Sequence, residues 1–244
     1  MDDLWKHITA KGHPAKVIAK IEKPEAVENI DEIISGCNGI MIARGDLGIE
    51  MPIEQLPLIQ KTIIQKCIQR SRPVIVATQM MESMMEHPSP TRPEVTDVAN
   101  AVLDGADAVM TSGETAKGKF PVQVIQQMSR IIALVENHPY YQVKQPEPRT
   151  ASRTFHSDVI CFNAVNVARQ LEAKAILAVT VSGYTAFKVS SCRPKSKIYM
   201  FSDRMYMLAT LNLVLGVNCF YYDRFTSTEE NISDLTTILK HDGK

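Results

Sequence analysis

The chain has 244 residues, 45% hydrophobic and 22% charged, a composition that excludes disorder and predicts one large globular domain or two smaller ones. Its 27 basic and 27 acidic residues cancel, so the charge favours neither a nucleic-acid nor a membrane partner, and no stretch is apolar enough to span a bilayer. Five scattered cysteines without C-x-x-C spacing indicate a reduced, cytoplasmic protein.

In the first half of the chain, four apolar runs with strand character each end in polar residues and lead into a helical stretch. The runs are residues 17–19, 39–43, 74–77 and 108–110. Strands that are apolar throughout are typical of parallel sheets, and their alternation with helices indicates βα units. The pattern predicts half of a (β/α)8 TIM barrel, with reactive groups at the carboxyl ends of the strands.

The stretches between these runs predict helices at residues 2–9, 24–34, 54–70, 96–103 and 121–136. Apolar residues recur with a helical period in 54–70, and Pro121 suits the first position of a helix. Residues 47–52 are predicted to form a loop. Residues 1–136 thus form the predicted C-terminal half of a barrel domain.

A second α/β pattern follows a proline-containing segment, residues 137–151, which we interpret as a linker. Residues 152–244 predict a smaller, incomplete α/β domain with a mainly parallel sheet. Its predicted helices are 155–171, 185–191, 205–214 and a last one from residue 227. Its predicted strands are a buried one at 175–181, then 197–202 and 217–221.

Four βα units cannot close a barrel of eight, so the sheet keeps two open edges and an uncovered apolar face. We therefore expect the first half to pair with another half-barrel, or to lack its own first half upstream. We also expect the chain by itself to form dimers or aggregates.

Lys20 and Glu22 follow the first strand, and residues two apart on a strand point to the same face. Both are expected at the barrel mouth, with Ile21 on the opposite face. An ordinary ion pair at a strand end explains the same spacing. Charges directly after a fully apolar strand are nevertheless typical of functional positions.

The second strand leads into the sequence Arg-Gly-Asp-Leu-Gly at residues 44–48. Its glycines allow positive φ, and the N–H groups of such a turn can form an anion-binding nest. Asp46 and Glu22, on neighbouring strands, are candidate ligands of Mg²⁺, which takes one or two carboxylates together with water and substrate oxygens. An exposed turn with an Arg–Asp pair is the alternative.

Two further turns carry hydroxyl groups. Thr78 closes the third strand, where its hydroxyl can bind a substrate carboxylate, relay a proton or cap a helix. In the second half, Thr180, Ser182, Gly183 and Thr185 join a strand to a helix N terminus. Such a turn suits a bound phosphate, and a capped βα turn explains it equally well.

Together these segments resemble the pyruvate kinase family. The similar segments are residues 17–25, 41–48, 77–80, 90–92 with 97–100, and 112–116. They cover most of residues 15–136, and the second half resembles the family's C-terminal domain more loosely. The resemblance implies phosphoryl transfer from phosphoenolpyruvate to ADP, giving pyruvate and ATP in the last step of glycolysis, by a homo-oligomer that is a tetramer in the family.

The resemblance also implies a role for each site residue. Lys20 stabilises the transferring phosphoryl group and the enolate oxygen, and Glu22 and Asp46 bind Mg²⁺ or Mn²⁺. The backbone of Gly45 and Asp46, with Thr78, holds the carboxylate of phosphoenolpyruvate. Thr78 also lies near the proton path to the enolate.

The chain departs from the family pattern in several places. The family's N-terminal barrel strands, lid domain, K⁺ ligands and phosphate-binding arginine are expected upstream of Met1, and its last strands after Lys244. The isolated chain is therefore expected to have little or no activity. At the effector turn, Val181 replaces the lysine of sugar-phosphate-activated members, which argues against fructose bisphosphate and leaves another phosphorylated effector open.

Two other functions stay open at this point. One is a non-catalytic fragment or assembly module that works only with full-length subunits. The other is a metal-dependent enolpyruvate lyase or aldolase with a similar Glu/Asp pair. The spacing of Lys20 and Glu22, with the Ser-Gly-Glu-Thr sequence at residues 112–115, argues against the second.

Overall fold

The computed structural model describes residues 2–141, 145–224 and 227–241. The middle of the predicted linker, residues 142–144, and the final residues 242–244 lie outside these ranges. The chain divides into two compact units, residues 1–147 and 148–244. The division falls inside the segment that the sequence marked as a linker.

The first unit contains one open parallel sheet with the strand order β1-β2-β3-β4. Its strands are β1 (Ile18–Ile21), β2 (Gly39–Ala43), β3 (Val74–Ala77) and β4 (Ala108–Met110). Each strand pairs in parallel with the next one along the chain. The predicted half-barrel of four βα units is thereby confirmed, with β1 and β4 as its edges.

Helices connect the strands, and none of those in the described residues is long and apolar enough to cross a bilayer. They are α1 (Asp2–Ala10), α2 (Pro24–Glu28), α3 (Ile30–Gly36), α4 (Arg44–Glu50), α5 (Leu56–Gln69), α6 (Arg92–Asp104), α7 (Gly113–Ala116) and α8 (Pro121–Glu136), with 3₁₀ turns at Ile53–Gln55 and Glu82–Met85. The predicted helix 24–34 is interrupted at Asn29. The predicted helix 96–103 begins four residues earlier.

Helix α6 begins early because its first turn is capped by its own side chains. Thr91 and Glu94 form a capping box, and the Glu94 carboxylate also accepts the Ser83 N–H at 2.7 Å. Burial by itself would raise the pKa of Glu94, but the hydrogen bonds from Ser83 and Thr91 outweigh it and lower that pKa. This cap supports the register of α6 and thus of Asp97, midway along the helix.

The two faces of the first sheet differ in how well they are covered. Ile21, Ile42 and Val76 lie side by side, and all three are fully buried in the main hydrophobic core. The residues one position earlier in each strand point to the other face of the sheet. They include Lys20, which lies beside the partly exposed Met41. The strand alternation therefore directs Lys20 to the inner face of the half-barrel.

The second unit contains a three-stranded parallel sheet with the order β5-β6-β7. Its elements are α9 (Phe155–Gln170), β5 (Ala175–Val179), α10 (Tyr184–Ser191), β6 (Lys197–Ser202), α11 (Met205–Leu211), β7 (Val217–Tyr221) and α12 (Thr228–His241). The prediction of a buried strand at 175–181 is wrong in two respects. The strand ends at Val179, and it is a sheet edge that leaves Leu177 38% and Val179 39% exposed.

Candidate active site

Three charged side chains meet at the carboxyl ends of β1 and β2. Lys20 lies near the end of β1, Glu22 directly follows that strand, and Asp46 lies in the first turn of α4. The Lys20 ammonium donates to Glu22 Oε2 and, over 2.7 Å, to Asp46 Oδ2. The structure thus brings together the three charged residues that the sequence singled out.

All three side chains are partly exposed to solvent. Their ion pairs are therefore weakened by solvent, and the side chains can change partners. The hydrogen bonds to Asp46 and, second, to Glu22 raise the pKa of Lys20 above its ordinary value. Lys20 therefore carries its positive charge at neutral pH. A permanent cation on the inner face of the sheet suits an anionic substrate.

The same carboxylates have the chemistry of a Mg²⁺ site. Glu22 and Asp46 both reach one cationic centre, the Lys20 ammonium, so the two side chains converge on a common point. Carboxylate oxygens are the protein ligands that Mg²⁺ prefers, and one or two of them suffice when substrate oxygens and water complete the shell. Among the described residues, no group of three or more His, Cys, Asp or Glu side chains forms a denser metal cage.

The predicted turn at residues 44–48 and the predicted loop at 47–52 are both wrong, because α4 begins at Arg44 and runs to Glu50. Gly45 has no positive φ, so an anion-binding nest does not form there. Two glycines weaken a helix by about 1 kcal/mol each. The buried Leu47 compensates for them by packing in the core.

Thr78 leaves the end of β3 in an unusual backbone conformation. Thr78 and Gln79 have φ values of 71° and 53°, in the left-handed region. The Thr78 hydroxyl accepts the N–H of Gly45 at 2.7 Å and donates to the Ala77 carbonyl at 2.6 Å. Thr78 thus caps α4, the helix that follows the neighbouring strand β2, rather than a helix that follows Thr78 itself.

Comparisons with known proteins decide which family has this arrangement. A family model described as "Pyruvate kinase, barrel domain" matches residues 2–125. A second, "Pyruvate kinase, alpha/beta domain", matches residues 158–244. The chain belongs to the pyruvate kinase family. Its two matched regions correspond to the half-barrel and to the three-stranded α/β unit.

Individual pyruvate kinases agree with this assignment. The pyruvate kinase of Clostridium acetobutylicum is 43% identical over 222 residues, covering 91% of this chain and 47% of the relative. That of Mycobacterium intracellulare is 44% identical over 233 residues, covering 96% and 48%. The crystal structure of a pyruvate kinase from Cryptosporidium parvum superposes with a TM-score of 0.86 and 39% identity, covering 95% of this chain and 47% of that one. The chain spans about half the length of the relatives it matches.

Sequence reasoning missed two further charged groups, which follow β2 and β4. Arg44 forms an ion pair with Asp97 at 2.6 Å. Glu114 is buried, and its carboxylate accepts the N–H of Ser112 at 2.7 Å. An arginine or a glutamate next to a glycine is typical of a solvent-exposed turn. No local sequence signal therefore indicated that Arg44 and Glu114 are largely buried.

The candidate effector turn lies in the second unit, between β5 and α10. The N–H of Gly183 donates to the Thr180 hydroxyl at 3.0 Å, and the N–H of Tyr184 donates to the Ser182 hydroxyl at 3.3 Å. Gly183 has a φ of 81°, where a side chain would be strained. These bonds form the capped βα turn, and Thr185 follows in the first turn of α10.

Behind that turn lies a buried ionic cluster that the sequence did not reveal. Asp158 of α9 accepts a hydrogen bond from the Tyr184 hydroxyl and pairs with Lys188 at 3.5 Å. The Asp158 and Lys188 side chains are only 6% and 8% exposed. The cluster connects α9 to α10 and holds Tyr184, in the first turn of α10, to Asp158.

We expect the Tyr184 phenol to titrate late. Burial, and next the hydrogen bond to Asp158, raise its pKa from 10.0 to about 12. Because the folded state holds this proton more tightly, the associated stability is complete below pH 10 and is lost as the pH rises toward 12. The check is to titrate the wild-type chain and the Tyr184→Phe variant by ultraviolet absorbance and to subtract the second curve from the first. A difference curve centred near pH 10 would contradict the prediction.

Proposed function

We propose that this chain contributes to phosphoryl transfer from phosphoenolpyruvate to ADP, giving pyruvate and ATP. The observation that carries the proposal is the convergence of Lys20, Glu22 and Asp46 at the carboxyl ends of adjacent parallel strands. Membership of the pyruvate kinase family supports it. The overall activity, substrates and homo-oligomeric state are those of complete enzymes of the family, and this chain spans about half the length of such relatives.

Lys20 supplies the positive charge in this proposal. Its ammonium is protonated at neutral pH, and hydrogen bonds to Asp46 and Glu22 raise its pKa above the ordinary value. When phosphoenolpyruvate binds, the ammonium donates to the phosphoryl group and to the enolate oxygen that loses it. A fixed charge aimed at charge that develops during reaction lowers the barrier without reorganisation. Phosphoryl transfer depends mainly on this kind of positioning and stabilisation.

Glu22 and Asp46 are the residues that would hold Mg²⁺ or Mn²⁺. Bound there, the ion would neutralise negative charge on substrate oxygens and orient them. Lys20 then exchanges its carboxylate partners for the substrate, which its half-exposed position allows. The K⁺ of the family has no proposed ligand in this chain.

The N terminus of α4 and Thr78 would hold the substrate carboxylate. Gly45 and Asp46 lie in the first helical turn, whose N–H groups lack intrahelical acceptors. The Gly45 N–H donates to the Thr78 hydroxyl at 2.7 Å, so binding through Gly45 would replace this bond by one to the carboxylate. The Thr78 hydroxyl can turn its proton from the Ala77 carbonyl to the carboxylate, or donate through water toward the enolate carbon. That carbon takes the proton that completes pyruvate.

A regulatory role is proposed for the second unit. Thr180, Ser182 and Gly183 precede α10, and Thr185 lies in its first turn. The hydroxyl groups of the two threonines and the serine suit a phosphorylated effector. The hydroxyls of Thr180 and Ser182 already cap the turn before α10. Effector binding would therefore have to compete with these internal bonds.

Joining the chain to the upstream half of its Clostridium acetobutylicum relative tests the proposed function. We expect phosphoenolpyruvate-dependent, ADP-dependent turnover in a lactate-dehydrogenase-coupled assay with Mg²⁺ and K⁺. The unjoined chain should be nearly inactive, since even a ~1 Å misplacement costs about 100-fold. A folded, joined protein without turnover would favour a non-catalytic assembly module instead.

A further inference from the structure

Arg44 makes contacts that neither its ion pair nor its place at the start of α4 requires. Its guanidinium donates to the Thr78 carbonyl at 2.8 Å and to Asp97 at 2.6 Å. It also donates to the Ala77 carbonyl at 3.4 Å and to Met80 Sδ at 2.8 Å. The side chain is only 13% exposed. One mostly buried cation therefore binds the backbone at the end of β3 at two successive carbonyls.

The segment that Arg44 holds is strained. Thr78 and Gln79 are consecutive non-glycine residues in the left-handed region. Such residues cost of order 1–3 kcal/mol each and persist only where the surroundings impose them. The guanidinium binds carbonyls at the start of this turn and a sulfur just after it, so it opposes relaxation of the turn.

The same turn is held from its other side by the residue next to Arg44. The Gly45 N–H donates to the Thr78 hydroxyl at 2.7 Å. We propose that Arg44, paired with Asp97, is a positioning residue that fixes the Thr78–Gln79 turn and so holds the Thr78 hydroxyl against the start of α4. Its catalytic value rests on the proposed function, in which Thr78 and Gly45 hold the substrate carboxylate.

The chemistry of this contact favours arginine over lysine. A planar guanidinium has five donors in a fixed fork, whereas an ammonium is a point charge on a flexible stem. Only the fork supplies enough donors at fixed angles to reach Asp97 and two successive carbonyls at once. A groove of about 300 Å³ lined by Arg44, Gln60 and Asp97 gives small ions access to this position.

The Gly45 amide provides a direct readout on the full chain. Gly45 is in the first turn of α4, where an N–H has no intrahelical acceptor. Its exchange with solvent therefore reports the bond to Thr78. In the ¹⁵N-labelled chain we expect Arg44→Lys to accelerate Gly45 exchange about tenfold or more. The backbone chemical shifts of Thr78 should also move away from the values typical of the left-handed conformation.

Matched variants separate positioning from general stability. Arg70→Lys alters another arginine paired with an aspartate, Asp31, and should leave Gly45 exchange unchanged. In Arg44→Lys the amide of Val76, in the middle of β3, should stay protected. Millimolar guanidinium added to Arg44→Ala should restore Gly45 protection through the groove.

Two results would overturn the proposal. One is Gly45 exchange unchanged in both Arg44→Lys and Asp97→Asn. The other is equal acceleration of Gly45 and Val76, which would give Arg44 a purely structural role. A joined protein without phosphoryl transfer would refute the proposed function while leaving this exchange result valid, so the two failures are distinguishable.

Discussion

Replacing Lys20 by methionine should abolish phosphoryl transfer and leave the metal in place. Methionine keeps the length and packing of the stem but removes the ammonium that donates to Glu22 and Asp46. Removing one preorganised donor to a developing charge costs about 10²–10³ in kcat. We expect at least this loss in the chain joined to the upstream half of its Clostridium acetobutylicum relative.

Metal binding should depend on Asp46 and not on Lys20. Asp46→Ala removes one of the two proposed carboxylate ligands, so Mn²⁺ binding measured by electron paramagnetic resonance should be lost. Lys20→Met removes no ligand and should largely retain it. Both side chains are about half exposed, so neither substitution should unfold the chain.

Lys119→Met provides the matched control. Lys119 pairs with Glu86, and both side chains are well exposed and belong to neither the metal nor the substrate proposal. Kinetics and Mn²⁺ binding should match those of the wild type. The assigned roles are wrong if Lys20→Met loses the metal, or if Asp46→Ala keeps it.

The second large effect concerns stability. Asp158→Ala should lower the free energy of unfolding of the second unit by about 3–5 kcal/mol, the usual cost of leaving a buried charge without its partner. Lys188 would lose its carboxylate in a site where its side chain is 8% exposed. The Tyr184 hydroxyl would lose its acceptor as well. Urea denaturation followed by circular dichroism measures the change.

Two further variants make this result specific. Asp3→Ala removes an aspartate from the exposed pair with Lys6 and should change stability by less than about 0.5 kcal/mol. The double variant Asp158→Leu with Lys188→Met replaces both charges by apolar groups and should recover much of the loss. A single-variant effect as small as that of Asp3→Ala would mean that the cluster contributes little.

The order and type of the strands could be predicted from the sequence. Each strand of the half-barrel is a continuous apolar run that ends in polar residues, and this pattern needs no tertiary information. The same rule put Lys20, Glu22 and Asp46 on neighbouring strand ends. Parallel strands begin and end at common edges, so position along the chain sufficed to gather these three residues.

The tertiary structure decided the backbone conformation at two places where local sequence preference opposes it. The glycines around Asp46 suggested a turn, but burial of Leu47 and the contacts of Arg44 to the end of β3 impose a helix. Thr78 occupies a backbone region that its own side chain disfavours, because α4 and the Arg44 guanidinium hold it there. Propensity acts over a few neighbouring residues, whereas these contacts join positions more than thirty residues apart. The sequence by itself therefore determined the family, the parallel half-barrel and the charged cluster. Only the fold decided the helix at Arg44, the strained turn at Thr78 and the burial of the pair between Asp158 and Lys188.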